Sequence, residues 1–228
     1  AKLRQAIAWA MPYQQIQDNA FFGRAIPMYG AKSATPAEPV WPQPFPYGTD
    51  LEKAKALMVE AGFPNGLETT LSLDVGTATV GEPTALLIQE NLAKIGIKAA
   101  VEKIPGANWR TELNKKVLPL YTNVFSGWLD YPEYFFIWCY HGKNSIFNTM
   151  SYKSPEMDKL IDGARTAAST GDTAAYDKDV KGFVDLAYAD IPRIPLYQPF
   201  VNVAMQKNIT GYEYWFHRRL DYRALQKS

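Results

Sequence analysis

Leu67-Glu68-Thr69-Thr70-Leu71-Ser72-Leu73, then Ala85, Ile88, Leu92 and Ile95 at helical spacing, then Gly96 and Ile97-Lys98-Ala99-Ala100-Val101-Glu102: this run decides the fold. Leu67, Leu71 and Leu73 fall on one side of an alternating segment, the period-two pattern of a strand. Pro83 is expected to open the helix that follows, since the first turn needs no amide donor there, and Gly96 to stop it. Ile97 to Glu102 reads as the next strand. A short helix around Trp109 to Lys116 then leads to a strand over Leu120 to Phe125. Strand and helix in this alternation predict a largely parallel α/β layer.

Outward from that run, Asp50 is placed to cap a helix over Leu51 to Ala61, whose apolar stripe is Leu51, Ala54, Leu57, Met58 and Ala61, with Gly62 as its stop. Leu3 to Met11 reads as a helix with Leu3, Ile7 and Ala10 on one face and no cap before it. That start predicts a piece of a longer chain. Pro12 is expected in the first turn of a helix from Tyr13 to Phe22. Pro27 to Gly48 carries six prolines among Trp41, Phe45 and Tyr47, so it reads as an extended, packed loop. On the far side, Ser154-Pro155 and Asp172 announce two more helices, striped by Met157, Leu160, Ile161 and Ala164 and by Tyr176, Val180, Phe183, Val184 and Ala187. Ile191 to Tyr197 and Phe200 to Met205 read as extended, and Asn208 to Ser228 as too short to fold alone.

Composition narrows the function. A hydrophobic share of 47% against 21% charged residues in 228 predicts a folded chain with one large core or two modest ones. A net charge of +1 offers no electrostatic footprint for nucleic acid or an anionic membrane. One cysteine, Cys139, excludes a disulfide framework, and its flanks Trp138 and Tyr140 mark it as a small buried hydrophobe. Two histidines, His141 and His217, lack the spacing of a metal site, so neither a metal nor a cofactor is expected.

The candidate site is Phe125-Ser126-Gly127-Trp128-Leu129-Asp130-Tyr131-Pro132-Glu133-Tyr134-Phe135-Phe136-Ile137-Trp138-Cys139-Tyr140-His141-Gly142. Aromatic rings gather around a carboxylate just after a strand, where recognition groups are commonly carried. Such a set suits an amphipathic organic ligand; equally, the rings are core and Asp130 caps a helix beginning near Tyr131. Trp138 and Phe135 read as core.

Three segments in order resemble the C-terminal lobe of bacterial extracellular solute-binding proteins of the oligopeptide/dipeptide family (family 5), which serve ATP-driven (ABC) importers. They are Leu3-Arg4-Gln5-Ala6-Ile7-Ala8-Trp9-Ala10, Leu51 to Gly66, with its Lys53-Ala54 and Ala61-Gly62-Phe63, and Ile88-Gln89-Glu90-Asn91-Leu92-Ala93-Lys94-Ile95-Gly96-Ile97. Gly127-Trp128 to Glu133 falls where members carry Gly-Trp-x-x-Asp-Tyr-x-Asp-Pro; Tyr152 to Asp158 and Ile194-Pro195-Leu196-Tyr197 match later family positions. The resemblance implies a periplasmic-binding-protein type II-like α/β lobe, a mixed sheet flanked by helices. It implies a C-terminal ligand-binding lobe over residues 1–204 and a tail, 205–228, returning to an absent N-terminal lobe. It also implies a periplasmic or lipid-anchored extracellular location, no catalysis, and two partners: a peptide or small-molecule ligand and a membrane permease.

The resemblance gives Asp130 the ligand's ammonium, with Trp128, Tyr131 and Tyr134 as ring walls and Trp109, Arg110 and Trp41 as further candidates. Only one residue separates Trp128 from Asp130 here, where members have two. Glu133-Tyr134 replaces Asp-Pro, and Thr122 to Ser126 offers no basic residue. The ligand class therefore stays open between a peptide, an opine, a glycoside and another amine. Two other classes remain beside this one: a hydrolase using Asp130 and Glu133 as a carboxylate pair, and the sensing lobe of a transcriptional regulator.

Overall fold

The computed structural model describes residues 1–27, 45–125, 129, 131–214 and 222–228. Its centre is a parallel three-stranded sheet of β2 (Leu67–Asp74), β3 (Ile97–Ile104) and β4 (Leu120–Tyr121), in the order β3-β2-β4. β2 and β3 pair along their whole length, Leu67 opposite Ile97 and Asp74 opposite Ile104. Two short antiparallel pairs lie outside this sheet: β1 (Ala25–Ile26) with β5 (Gln198–Pro199), and β6 (Ile209–Thr210) with β7 (Gln226–Lys227).

Helices α1 (Lys2–Ala10), α3 (Leu51–Glu60) and α4 (Ala78–Lys94) close the sheet's core. Leu71, Leu73, Ile97 and Ala99 from the strands meet Ala85, Ile88 and Leu92 of α4, and Ala6, Ala10, Ala54 and Met58 complete the buried cluster. Asp50 caps α3 as expected, its Oδ1 accepting from the Lys53 amide at 2.9 Å. Gly66 and Gly96, both with positive φ, bring the starts of β2 and β3 together, and the Leu67 amide donates to the Gly96 carbonyl at 3.1 Å.

The second core is helical. Phe136 and Cys139 of α6 (Pro132–Cys139) pack on Met157 and Ile161 of α7 (Pro155–Thr170) and on Val180, Phe183 and Val184 of α8 (Thr173–Asp190). Ser154 and Asp172 cap α7 and α8 through the Met157 and Ala175 amides, at 3.2 and 3.0 Å. The two cores meet where the Arg4 and Gln5 side chains donate to the Asp190 and Ala189 carbonyls at the end of α8, at 2.8 and 2.9 Å. A third cluster, Ile104, Trp109 and Leu113, joins β3 to α5 (Gly106–Lys115) and reaches Tyr121 of β4.

Three elements depart from expectation. The helix expected to open at Pro83 begins at Ala78, and Pro83 lies inside it. Asp74 accepts the Gly76 amide at 2.7 Å and sets a tight turn over Val75–Thr77 that starts the helix early. The proline removes only the donor that the Thr79 carbonyl would have received. The strand expected over Leu120 to Phe125 is a ladder only at Leu120–Tyr121. Thr122 still donates to the Ser72 carbonyl at 3.1 Å, but Asn123 then takes the Val124 amide on its own side chain at 3.0 Å and turns the chain away. The helix expected over Tyr13 to Phe22 is a single turn, α2 (Tyr13–Gln15), running into a wider π-helical turn over Ile16–Ala20, with Phe22 already at positive φ. Of the proline-rich loop, Pro27 and residues 45–48 are described; there Phe45 and Tyr47 pack on Tyr13, Trp9 and Tyr188.

Candidate functional site

β4 ends at Tyr121 and α6 begins at Pro132, and the segment between them carries the candidate site. Pro132 occupies the first position of α6, where its missing amide costs nothing, and Tyr131 is the N-cap, in extended backbone and without a side-chain cap bond. Trp128, Asp130 and Trp41 lie outside the described residues, as does His217.

Tyr131 and Tyr134 come together. Both line an open cavity of about 900 Å³ between α6 and the α7–α8 turn. Helical spacing puts Tyr134 and Trp138 one turn apart on α6, ring centroids 6.2 Å apart, with Tyr131 preceding them on the same side. Ala167, Ala168 and Gly171 form the facing wall, small enough to leave the space open. Glu133 also lines it, and its Oε2 accepts from the Tyr176 hydroxyl of α8 at 2.7 Å. Burial first, and then this carboxylate acceptor, push the Tyr176 phenol well above its ordinary value, so it stays a donor at physiological pH. The size and the mix of rings with a few charged groups suit a small organic ligand.

Trp109 and Arg110 are placed elsewhere. Trp109 is 8% exposed in the third core, edge-on to Tyr121, its indole N–H aimed at Asn123 Oδ1 at 3.5 Å. Arg110 is exposed and sits 5.1 Å from the centroid of Phe147. Neither lines the cavity. Trp109 instead supports the turn at Asn123 from which the site loop departs. Phe125 packs on Phe135 and Phe147, which fastens that loop to the helical core.

Cys139 is fully buried, and burial raises its thiol to about 11 against a lowering by Arg193, so it is a neutral packing group as the sequence suggests. His141 is buried too; its Nδ1 accepts the Lys143 amide at 3.1 Å, which spends that nitrogen on the turn after α6. Among the described residues no group of three or more His, Cys, Asp or Glu could hold a metal ion, and no helix is long and apolar enough to cross a membrane. Glu133 was a sequence candidate only as half of a carboxylate pair with Asp130; its bond to Tyr176 and the α7–α8 wall were not foreseen. The only sequence signal for them was the apolar-plus-acid run of α6, because partners 43 residues apart carry no local pattern.

A parallel βαβ core followed by a three-helix unit, joined by an aromatic loop at the strand ends, is the lobe architecture of type II periplasmic binding proteins. The chain belongs to the family described as bacterial extracellular solute-binding proteins, family 5 Middle, which matches residues 1–147. It is 29% identical over 219 residues to the glutathione-binding protein GsiB of Escherichia coli K12, an alignment covering 92% of this chain and 42% of that protein. HbpA2 from Haemophilus parasuis superposes with a TM-score of 0.81 at 24% identity, over 100% of this chain and 45% of HbpA2. AgaA of A. tumefaciens R10, solved with agropinic acid, superposes with a TM-score of 0.77 at 27% identity, over 92% of this chain and 43% of AgaA. The chain thus spans less than half the length of these relatives. Membership of a solute-binding family leaves the hydrolase and regulator readings without support.

Proposed function

We propose that this chain is one lobe of the solute-binding component of an ABC importer, and that it captures a small peptide or related amine-bearing solute in a cleft shared with a second lobe. Residues 1–204 would form the ligand-binding lobe and 205–228 the tail that returns to its partner lobe. The whole protein would work without catalysis, on the periplasmic or outer face of the membrane. Ligand would act by stabilising the closed state that the permease recognises.

The observation that carries this reading is the family match, together with the position of the aromatic loop at the ends of parallel strands, where α/β folds bind their ligands. The relatives include a glutathione-binding protein and a protein solved with agropinic acid, which favours a small organic solute carrying a carboxylate. In this reading Asp130 meets the ligand's ammonium in a charge-assisted hydrogen bond, and Trp128, Tyr131 and Tyr134 shield it from water.

Calorimetric titration of the two-lobe protein with di- and tripeptides, amino-blocked peptides, opines and sugars tests this directly. Free-amine ligands should bind, and blocking the amine or substituting Asp130→Asn should weaken binding about a hundredfold. Tight binding of amine-free sugars, unchanged in Asp130→Asn, would overturn the assignment.

A further inference from the structure

The cavity beside the site loop holds a carboxylate whose orientation is fixed from a different helix. Glu133 stands in the first turn of α6, and the Tyr176 hydroxyl, projecting from α8, donates to its Oε2 at 2.7 Å. Its other oxygen has no hydrogen-bond partner among the described residues. The rings of Tyr131, Tyr134 and Trp138 line the same cavity.

A carboxylate held still among aromatic rings is the arrangement that selects an organic cation. The ring quadrupoles attract positive charge, and the carboxylate supplies a directional acceptor. The opposing charge on the rim is Arg165, about half exposed, with Nη1 3.9 Å from Asp162 Oδ1; against it the same lining carries the carboxylates Glu133 and Asp172. Asp172, also on the rim, is committed through Oδ1 to the Ala175 amide. The local balance therefore favours a cation and disfavours an anion.

We infer that the α6–α8 cavity is a second recognition pocket, specific for a cationic group such as a guanidinium or a quaternary or primary ammonium, with Glu133 as its acceptor and Tyr176 as the residue that positions it. The pocket adjoins Leu129 and Tyr131 of the site loop, so the same solute could extend into it. This step builds on the solute-binding reading and narrows its substrate class to ligands carrying a second, side-chain cation. The plain alternative is that Glu133 only complements the positive end of α6.

All the walls named belong to this chain, so the test needs no second lobe, and the Glu133→Gln comparison reads this pocket rather than Asp130. The 228-residue chain is titrated with argininamide, with tetramethylammonium and with the neutral tert-butanol, and amide and indole shifts are followed by NMR. Argininamide should move the signals of Tyr134, Trp138 and Tyr176 with a millimolar Kd, tetramethylammonium the same signals more weakly, and tert-butanol none. Glu133→Gln should weaken argininamide about tenfold, and Tyr176→Phe a few-fold, with the amide spectrum otherwise unchanged. Cation-independent shifts, no shifts at the cavity, or an unchanged Kd in Glu133→Gln would each overturn the proposal and leave Glu133 as a helix-end charge.

Discussion

At Gly66 the chain has no room for a side chain. A Cβ built there would lie 2.0 Å from the Gly96 carbonyl oxygen, and φ is +77°, a region costly to L residues. Gly171, at φ +74°, ends α7 in open space. The two glycines therefore separate conformational cost from collision. Gly171→Ala should destabilise by about 1 kcal/mol, the left-handed penalty alone, whereas Gly66→Ala should cost several times that because the β2–β3 entry must move. Urea denaturation of both variants checks the ranking, and equal losses would show that the β2–β3 turn yields easily. Residue chemistry also explains which site candidates were legible. That Tyr131 and Tyr134 stand at a helix start was legible, because Pro132 marks the first helical position. That Trp109 is core was not, because nothing local tells a ring in the first turn of α5 whether Tyr121 and Leu113 will close over it.

At the scale of elements, caps and stops were read correctly because they act over three or four residues. Asp50 and Ser154 each satisfy one orphan amide, and they sit in different cores. Asp50→Ala and Ser154→Ala should each cost about 1 kcal/mol, visible as a lower urea midpoint with an unchanged slope. A changed slope for either variant would mean that the two cores unfold separately. Where the reading of elements failed, a competing local bond had won. The Asp74–Gly76 turn starts α4 ahead of Pro83, and Asn123 ends β4 by capturing the next amide. Both residues are familiar turn formers, but their side-chain bonds compete with strand and helix on nearly equal terms, so pattern alone could not rank them.

Among the described residues, the two larger cores meet at a seam between α1 and the end of α8. α1 carries Arg4 and Gln5 to the end of α8, and the Tyr152 hydroxyl donates to Asp190 Oδ2 at 2.5 Å beside them. In the two-lobe proposal such a body would present one wall of a cleft, in keeping with a chain that spans 42% of its GsiB relative. A single wall desolvates a ligand on one side only and gains little from its charges. Solutes bound tightly by the two-lobe protein should therefore bind this chain with millimolar or weaker affinity by calorimetry. Micromolar binding by the chain alone would overturn the two-lobe proposal.

Motifs in shared order carried the family resemblance, and beyond them the sequence by itself determined the alternation of strand and helix and the three capped helices. Those are properties of periodicity and short-range hydrogen bonding, which act between residues close in the chain. Only the tertiary structure decided that Trp109 is core, that Tyr131 and Tyr134 open onto a cavity, and that Tyr176 reaches across 43 residues to hold Glu133. Those contacts arise from how α6 packs against the α7–α8 pair, and packing joins faces whose pairing no single segment encodes.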